Sequence, residues 1–434
     1  MAGMRGWRLL GRLFIAAASL VVSLELCGLL LVAVLFNQCA YSPSAVKGFR
    51  EALRVERDAG GSKGKAPVPT YALHPYVGFV SNADSPARLY STPISPTGFH
   101  SDVPAAYRKT SANEFVVGLF GGSVTVYLNV RAAETLKREL ARAPALRGRT
   151  VVINAIAEGG WKQPQQMLAL DYYLLMGAQF DLVVNLDGVN EVAIAFMNGT
   201  TNGFEPTFPH AWSWFAELNP GDPELLEHLT TGLGARNARA ALARVLLDSH
   251  LTPSAAVRLV WGLGRRVLMR REVMANNALN DRFRTDDPER LSFQQTGPWR
   301  GRRGDPGEVL AQAVRVWEEG SFAMAERLRA RNIPYVHVLQ PNQHFAGTKP
   351  LTEAERASFA NPKAYYAMPL ARGYPLLLAA GRKLRAREVD FIDLSRVFAE
   401  TAIPVFEDDC CHFNDEGNRI LATQLAAVLA SRIK

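Results

Sequence analysis

Ser123 stands in Phe120-Gly121-Gly122-Ser123-Val124-Thr125, directly after the apolar run Glu114 to Phe120 and directly before a stretch that reads as helix. A serine at the carboxyl end of a strand presents its hydroxyl where α/β folds keep their chemistry. Alone, that hydroxyl is a poor nucleophile and needs a base to take its proton. The string Asp408-Asp409-Cys410-Cys411-His412 supplies one in His412. A three-residue step lets a turn carry the Asp409 carboxylate back to Nδ1, fixing the tautomer and stabilising the imidazolium. Asp408 is the adjacent alternative. Acyl transfer also develops an oxyanion that needs pre-aimed donors. Two further loops can provide them, Asn154 to Gly160 and Asp187-Gly188-Val189-Asn190-Glu191. The candidate donors are the backbone N–H groups of Ser123 and Gly160 and the side-chain amide of Asn190. Gly159 competes with Gly160 for that role, and Gly160, directly before Trp161, is preferred.

These residues need elements to position them. Strands are expected at Glu114 to Phe120, Thr150 to Asn154, Asp181 to Asp187, Pro334 to Gln340 and Val389 to Leu394. Helices are expected between them at Val130 to Ala143, Pro164 to Gly177, Glu308 to Arg331 and Leu370 to Arg387, with a last one over about 415–432. Apolar strands alternating with helices predict an α/β protein, a three-layer α/β/α sandwich around a parallel five-stranded sheet. The alternation breaks over about 195–307, where Trp212, Trp214, Trp261 and short helical patterns predict an inserted helical cap near the site. Gln340-Pro341-Asn342-Gln343 follows the fourth strand and either contacts substrate or bonds internally. His74, His100 and His344 are expected to be structural.

The ordered blocks resemble the SGNH (GDSL) hydrolase superfamily: a Ser after a strand, a Gly, an Asn in a G-x-N-D/E string and a final D-x-x-H. They map to Ser123, Gly160, Asn190 and the pair Asp409 and His412, over about residues 70 to 434 with a gap from Asn190 to roughly 308. The resemblance implies a flavodoxin-like sheet and an acyl-enzyme on Ser123, and its spacing favours Asp409 over Asp408. The chain departs from the family at Gly122, where an acidic residue usually stands. An esterase or acyl hydrolase is implied, acting on an O-acylated envelope glycan or a lipid. The alternatives are an O-acyltransferase of a cell-envelope or exopolysaccharide pathway and a non-catalytic scaffold of the same fold.

The remaining sequence sets the context. A chain of 434 residues, 48% hydrophobic and 21% charged, is long enough for a large folded enzyme and excludes a disordered one. Residues 1–12 carry Arg5, Arg8 and Arg12, and the apolar run Leu13 to Phe36 follows. At about 1.5 Å per residue that run can cross a bilayer core of about 30 Å. It predicts a single-pass inner-membrane protein with a cytoplasmic N-terminus and a periplasmic catalytic domain. Residues 37–70 are expected to be a flexible tether, and 71–434 the SGNH-like domain. Glu25, in mid-run, either marks a contact with another membrane helix or is simply tolerated. The net charge of +8 concentrates in an arginine-rich stretch from Arg236 to Arg303, which suits a solvated face or an anionic surface. Nucleic acid is not an expected partner outside the cytoplasm. The adjacent Cys410 and Cys411 are too close for an unstrained disulfide, and neither a metal nor a cofactor is expected.

Overall fold

The apolar runs are the strands of a parallel sheet. The computed structural model describes residues 15–16, 19–20, 22–34, 41–59, 70–85, 93–210, 223–283, 303–360 and 364–433. They fall into two compact units, Met1–Pro67 with Leu218–Thr285, and Val68–Glu217 with Asp286–Lys434. The second unit opens with an antiparallel hairpin, β1 (Tyr71–His74) and β2 (Gly78–Ser81). The alternating series follows: β3 (Glu114–Gly121), α1 (Ser123–Leu140), β4 (Thr150–Ala157), α2 (Gln165–Leu175), β5 (Leu182–Asp187), α3 (Val189–Phe196), α4 (Pro306–Arg329), β6 (Tyr335–Leu339), α5 (Glu353–Phe359), α6 (Ala367–Ala386), β7 (Asp390–Asp393) and α7 (Asp415–Ala430).

The sheet runs β4-β3-β5-β6-β7 with every pairing parallel. Counting these strands from β3, that is the order 2-1-3-4-5 of flavodoxin-like folds, and the reversal falls between β3 and β5. All residues of β3, β5 and β6 are buried, as a sheet covered on both faces requires. Helices α1 and α7 pack together on one side, and α2, α3, α4 and α6 pack with one another on the other. Phe120, Val183, Val184 and Val338 are wholly buried in the sheet core, where each side chain of this size contributes about 1.5–3 kcal/mol. The predicted α/β sandwich and its five strands are therefore present.

Three expectations change. The helix expected from Val130 begins at Ser123. Two β-branched valines hid its first turn, which the Thr125 hydroxyl pins by donating to Leu186 O at 2.8 Å. The expected tether contains the helix Pro43–Ala59. Its Leu53 is wholly buried with Ala243 and Trp261, a packing that local composition could not reveal. The insertion does not belong to the sheet domain as a whole: its helices Pro223–Asp248 and Ala255–Phe283 group with the N-terminal residues. Among the described residues no helix is long and apolar enough to cross a membrane. The run Leu13 to Phe36 lies partly outside the described residues, of which 22–34 are helical.

Within that first unit, charge is neutralised internally. Arg239, nearly buried, donates to Glu56 at 2.9 Å and to Glu272 at 2.5 Å, and Arg265 donates to the other oxygen of Glu56. Part of the arginine-rich stretch is thus a buried ion network, while Arg270 and Arg271 are exposed. Glu25 contacts a helix, but not one long and apolar enough to cross a membrane. Its carboxylate accepts from the Ser254 hydroxyl at 2.6 Å, the N–H groups of Ala255 and Ala256 at 2.6 and 3.1 Å, and the Tyr41 hydroxyl at 2.6 Å. It thereby caps the open N–H groups that begin the helix Ala255–Phe283.

Candidate active site

Parallel strands bring the ends of β3, β4 and β5 to one edge, with Gly121 opposite both Ala157 and Leu186. The loops that leave these three strands carry Ser123, Gly160 and Asn190, and they surround the point where strand order reverses. Gly121 has φ +154°, and a Cβ there would collide with Leu186 O and the Thr125 hydroxyl, so only glycine turns the chain from β3 into α1. Ser123 follows as the first residue of an 18-residue helix. The positive end of the helix dipole therefore lies at Ser123.

His412 Nε2 lies 2.8 Å from Ser123 Oγ. Its Nδ1 is bonded to Oδ2 of Asp408, not Asp409. With Nδ1 donating to the carboxylate, Nε2 is left as an acceptor for the serine proton. The expected role of Asp409 is thus corrected: the partner is four residues before the histidine. The reason is local. Asp408 Oδ1 accepts from the N–H groups of Cys410, Cys411 and His412 at 3.0, 2.9 and 3.2 Å. That wrapping turns Asp408 inward and leaves Asp409 exposed. Burial alone would raise the Asp408 pKa, but the His412 bond and charge and the backbone N–H groups outweigh it and hold the carboxylate at about 2.

The loop after β6 fixes this arrangement from outside. Three consecutive side chains grip three consecutive carbonyls: Gln343 donates to Asp408 O at 2.9 Å, His344 to Asp409 O at 2.7 Å and Asn342 to Cys410 O at 2.9 Å. This loop is thereby bonded to the segment that carries His412. Cys410 and Cys411 are free cysteines with sulfurs 2.8 Å apart. The Cys410 sulfur and burial push the Cys411 thiol well up, so it stays protonated beside Ser123.

The oxyanion candidates converge on the same edge. Gly159 donates its N–H to Glu158 Oε1 at 2.7 Å, which engages it and favours Gly160. Gly160 has φ +78° and packs against the His210 ring. Asn190 Nδ2 donates to Trp161 O at 2.9 Å, and an amide nitrogen carries a second hydrogen. The same nitrogen explains Gly122. A Cβ at that position would clash with Asn190 Nδ2, so an acidic residue does not fit here without moving the amide.

Buried carboxylates brace these loops, and sequence reasoning missed them. Glu191 accepts from Gly188 N at 2.8 Å, Gln163 N at 3.3 Å and Gln166 Nε2 at 3.1 Å, so one side chain joins the loop after β5 to the loop after β4. Glu158 is wholly buried and accepts from Ser81 N at 2.8 Å as well as Gly159 N. Burial pushes its pKa up to about 7. Beside them Lys162, also buried, donates to Phe208 O, and burial brings its pKa down to about 7 against the pull of Glu191 and Glu205.

No protein-family model matches the chain, and no curated protein does. Among solved structures that match is a Bacteroides fragilis protein whose acylhydrolase assignment is itself provisional. It shares 10% identity, with a TM-score of 0.35, over 75% of this chain and 92% of that one.

Proposed function

We propose that this chain is a serine hydrolase of the SGNH type that cleaves an ester through an acyl-enzyme on Ser123. The observation that carries the reading is the Ser123–His412–Asp408 relay at the strand-order reversal, with Ser123 Oγ 2.8 Å from His412 Nε2. In the first half-reaction Ser123 Oγ attacks the ester carbonyl while His412 takes its proton. The N–H groups of Ser123 and Gly160 and the Asn190 amide receive the oxyanion, and His412 then protonates the departing alcohol. In the second half-reaction His412 takes a proton from water, the hydroxide attacks the acyl carbonyl, and the carboxylic acid leaves as Ser123 recovers its proton.

The substrate class proposed is an O-acylated envelope glycan or a lipid. The proposed setting is the bacterial inner membrane, with the N-terminal apolar run as a single-pass anchor and the sheet domain in the periplasm. The support is the length and apolar character of Leu13 to Phe36 behind Arg5, Arg8 and Arg12.

A fluorophosphonate probe together with p-nitrophenyl acetate tests the chemistry. Labelling and hydrolysis by the native chain, both lost in Ser123→Ala, are expected. A folded Ser123→Ala protein that retains either would reject the nucleophile. Transfer of the acetyl group to an added sugar, with no free acetate, would replace hydrolysis by acyl transfer on the same residues.

A further inference from the structure

Helix α1 places Ser123, Tyr127 and Arg131 one turn apart on a single face, because residues four apart are neighbours on a helix. The Tyr127 ring stacks on the His412 imidazole, with centroids 4.5 Å apart and planes inclined by 16°. On Tyr127 lies the Arg131 guanidinium, 4.7 Å from the ring centroid. Arg131 is itself held to both flanks of the histidine loop. It donates to Glu407 at 2.7 and 3.1 Å and to Phe413 O at 3.3 Å. One helix thus carries the nucleophile and, a turn away, the surface against which the base is pressed.

Asp408 restrains His412 through a single ring nitrogen, and a hydrogen bond at one atom leaves the ring free to pivot about that bond. A flat contact on the ring face removes the pivot, and an arginine behind the tyrosine holds the flat contact in place. We infer that Tyr127, backed by Arg131, is a positioning residue that sets the His412 ring plane so that Nε2 points at Ser123 Oγ. This rests on the hydrolase reading for its kinetic consequence, but the geometry of the imidazole can be read without any turnover.

The test compares native protein, Tyr127→Phe and Tyr127→Leu. Tyr127 is only half-buried, so leucine is tolerated sterically, and melting curves check the fold. In p-nitrophenyl acetate hydrolysis, Tyr127→Leu is expected to lower kcat by on the order of 10- to 100-fold with KM unchanged, the cost of a misaimed base. Tyr127→Phe, which keeps the ring face, should restore most of it. Equal kcat in a folded Tyr127→Leu protein would overturn the inference. The second arm is NMR of the His412 ring protons. Their NOE contact with the Ser123 Hβ protons reports where Nε2 points; it should persist in Tyr127→Phe and weaken in Tyr127→Leu. Equal His412–Ser123 NOE intensities in all three proteins would also overturn it. If the native chain hydrolyses no ester and takes no fluorophosphonate, the hydrolase reading falls, while the NMR arm still decides whether Tyr127 orients the ring.

Discussion

Replacing each of two adjacent aspartates by asparagine separates the geometry of this site from the spacing of its sequence motif. In Asp408→Asn the amide oxygen can keep the three backbone N–H bonds that Asp408 Oδ1 now accepts. The other half of the side chain then presents NH2 to His412 Nδ1. That ring nitrogen must become an acceptor, the proton moves to Nε2, and Nε2 can no longer accept the Ser123 proton. A wrong tautomer of this kind costs on the order of 10³ to 10⁴ in kcat. The stability cost is far smaller. The carboxylate is held at about 2 from an ordinary 3.8, which would correspond to about 2 kcal/mol if unscreened. The side chain is 35% exposed, and solvent screening reduces this to roughly 1 kcal/mol. Because the folded value is the lower one, that stability is present above about 3.8 and is lost as pH falls toward 2. Asp409→Asn alters an exposed side chain, while the carbonyl that His344 holds stays in place. Its kcat should stay within about twofold of native. The assay is steady-state hydrolysis of p-nitrophenyl acetate at pH 8, with melting curves at pH 7 and pH 3. A large loss in Asp409→Asn with near-native Asp408→Asn would refute the reasoning.

Three further outcomes follow from the same contacts. Asn190→Ala removes an oxyanion donor but not the relay, so fluorophosphonate labelling should persist while kcat falls by about 10² to 10³, and native turnover would remove Asn190 from the oxyanion site. Gly122→Asp introduces the acidic residue that the SGNH resemblance would lead one to expect, yet places a Cβ against Asn190 Nδ2; a loss of turnover comparable to Asn190→Ala is expected, and a gain would show that the amide can move. Glu158 keeps its proton in the folded state up to about 7 but releases it near 4.5 when unfolded, so stability should decline from pH 4.5 to 7 by about 3 kcal/mol; denaturant titrations should show this decline flattened in Glu158→Gln, and parallel pH curves for the two proteins would contradict it.

The sheet was legible because buried parallel strands are written as apolar runs whatever packs on them. Glu114 to Phe120 and Asp181 to Asp187 could hardly be anything else between helical patterns. The serine, glycine, asparagine and histidine were legible for a related reason, since each directly follows a strand or precedes a helix and its place on the sheet edge is set by topology. The choice between Asp408 and Asp409 was not legible. It depends on which of two neighbouring carboxylates a turn folds inward, and that turn is fixed by Asn342, Gln343 and His344, about 65 residues earlier. The helix Pro43–Ala59 was missed for the same kind of reason, because its stabilising partners, Ala243 and Trp261, are far along the chain. A glycine-rich neighbourhood argued for a tether, and tertiary packing overrode it.

A second set of the same three residue types shows how far composition falls short of chemistry. Ser321 Oγ lies 2.6 Å from His337 Nδ1, and His337 Nε2 lies 2.9 Å from Asp187 Oδ1, with Trp317 Nε1 donating to the same oxygen at 2.7 Å. By residue type and distance this is also a Ser–His–Asp relay. Yet Ser321 and His337 are wholly buried, so no carbonyl can approach the serine. Its bonds tie α4 to β6 and β6 to β5, and buried polar groups need such partners. Asp187 ends β5 and immediately precedes Gly188 and the helix α3 that carries Asn190, so the sealed relay anchors the strand that leads into that helix. What distinguishes Ser123 is its position, first on a helix at the strand-order reversal, with 8% of its surface exposed where Ser321 has none. The two relays are built from one vocabulary, and only the one at the strand-order reversal has its serine reached by solvent.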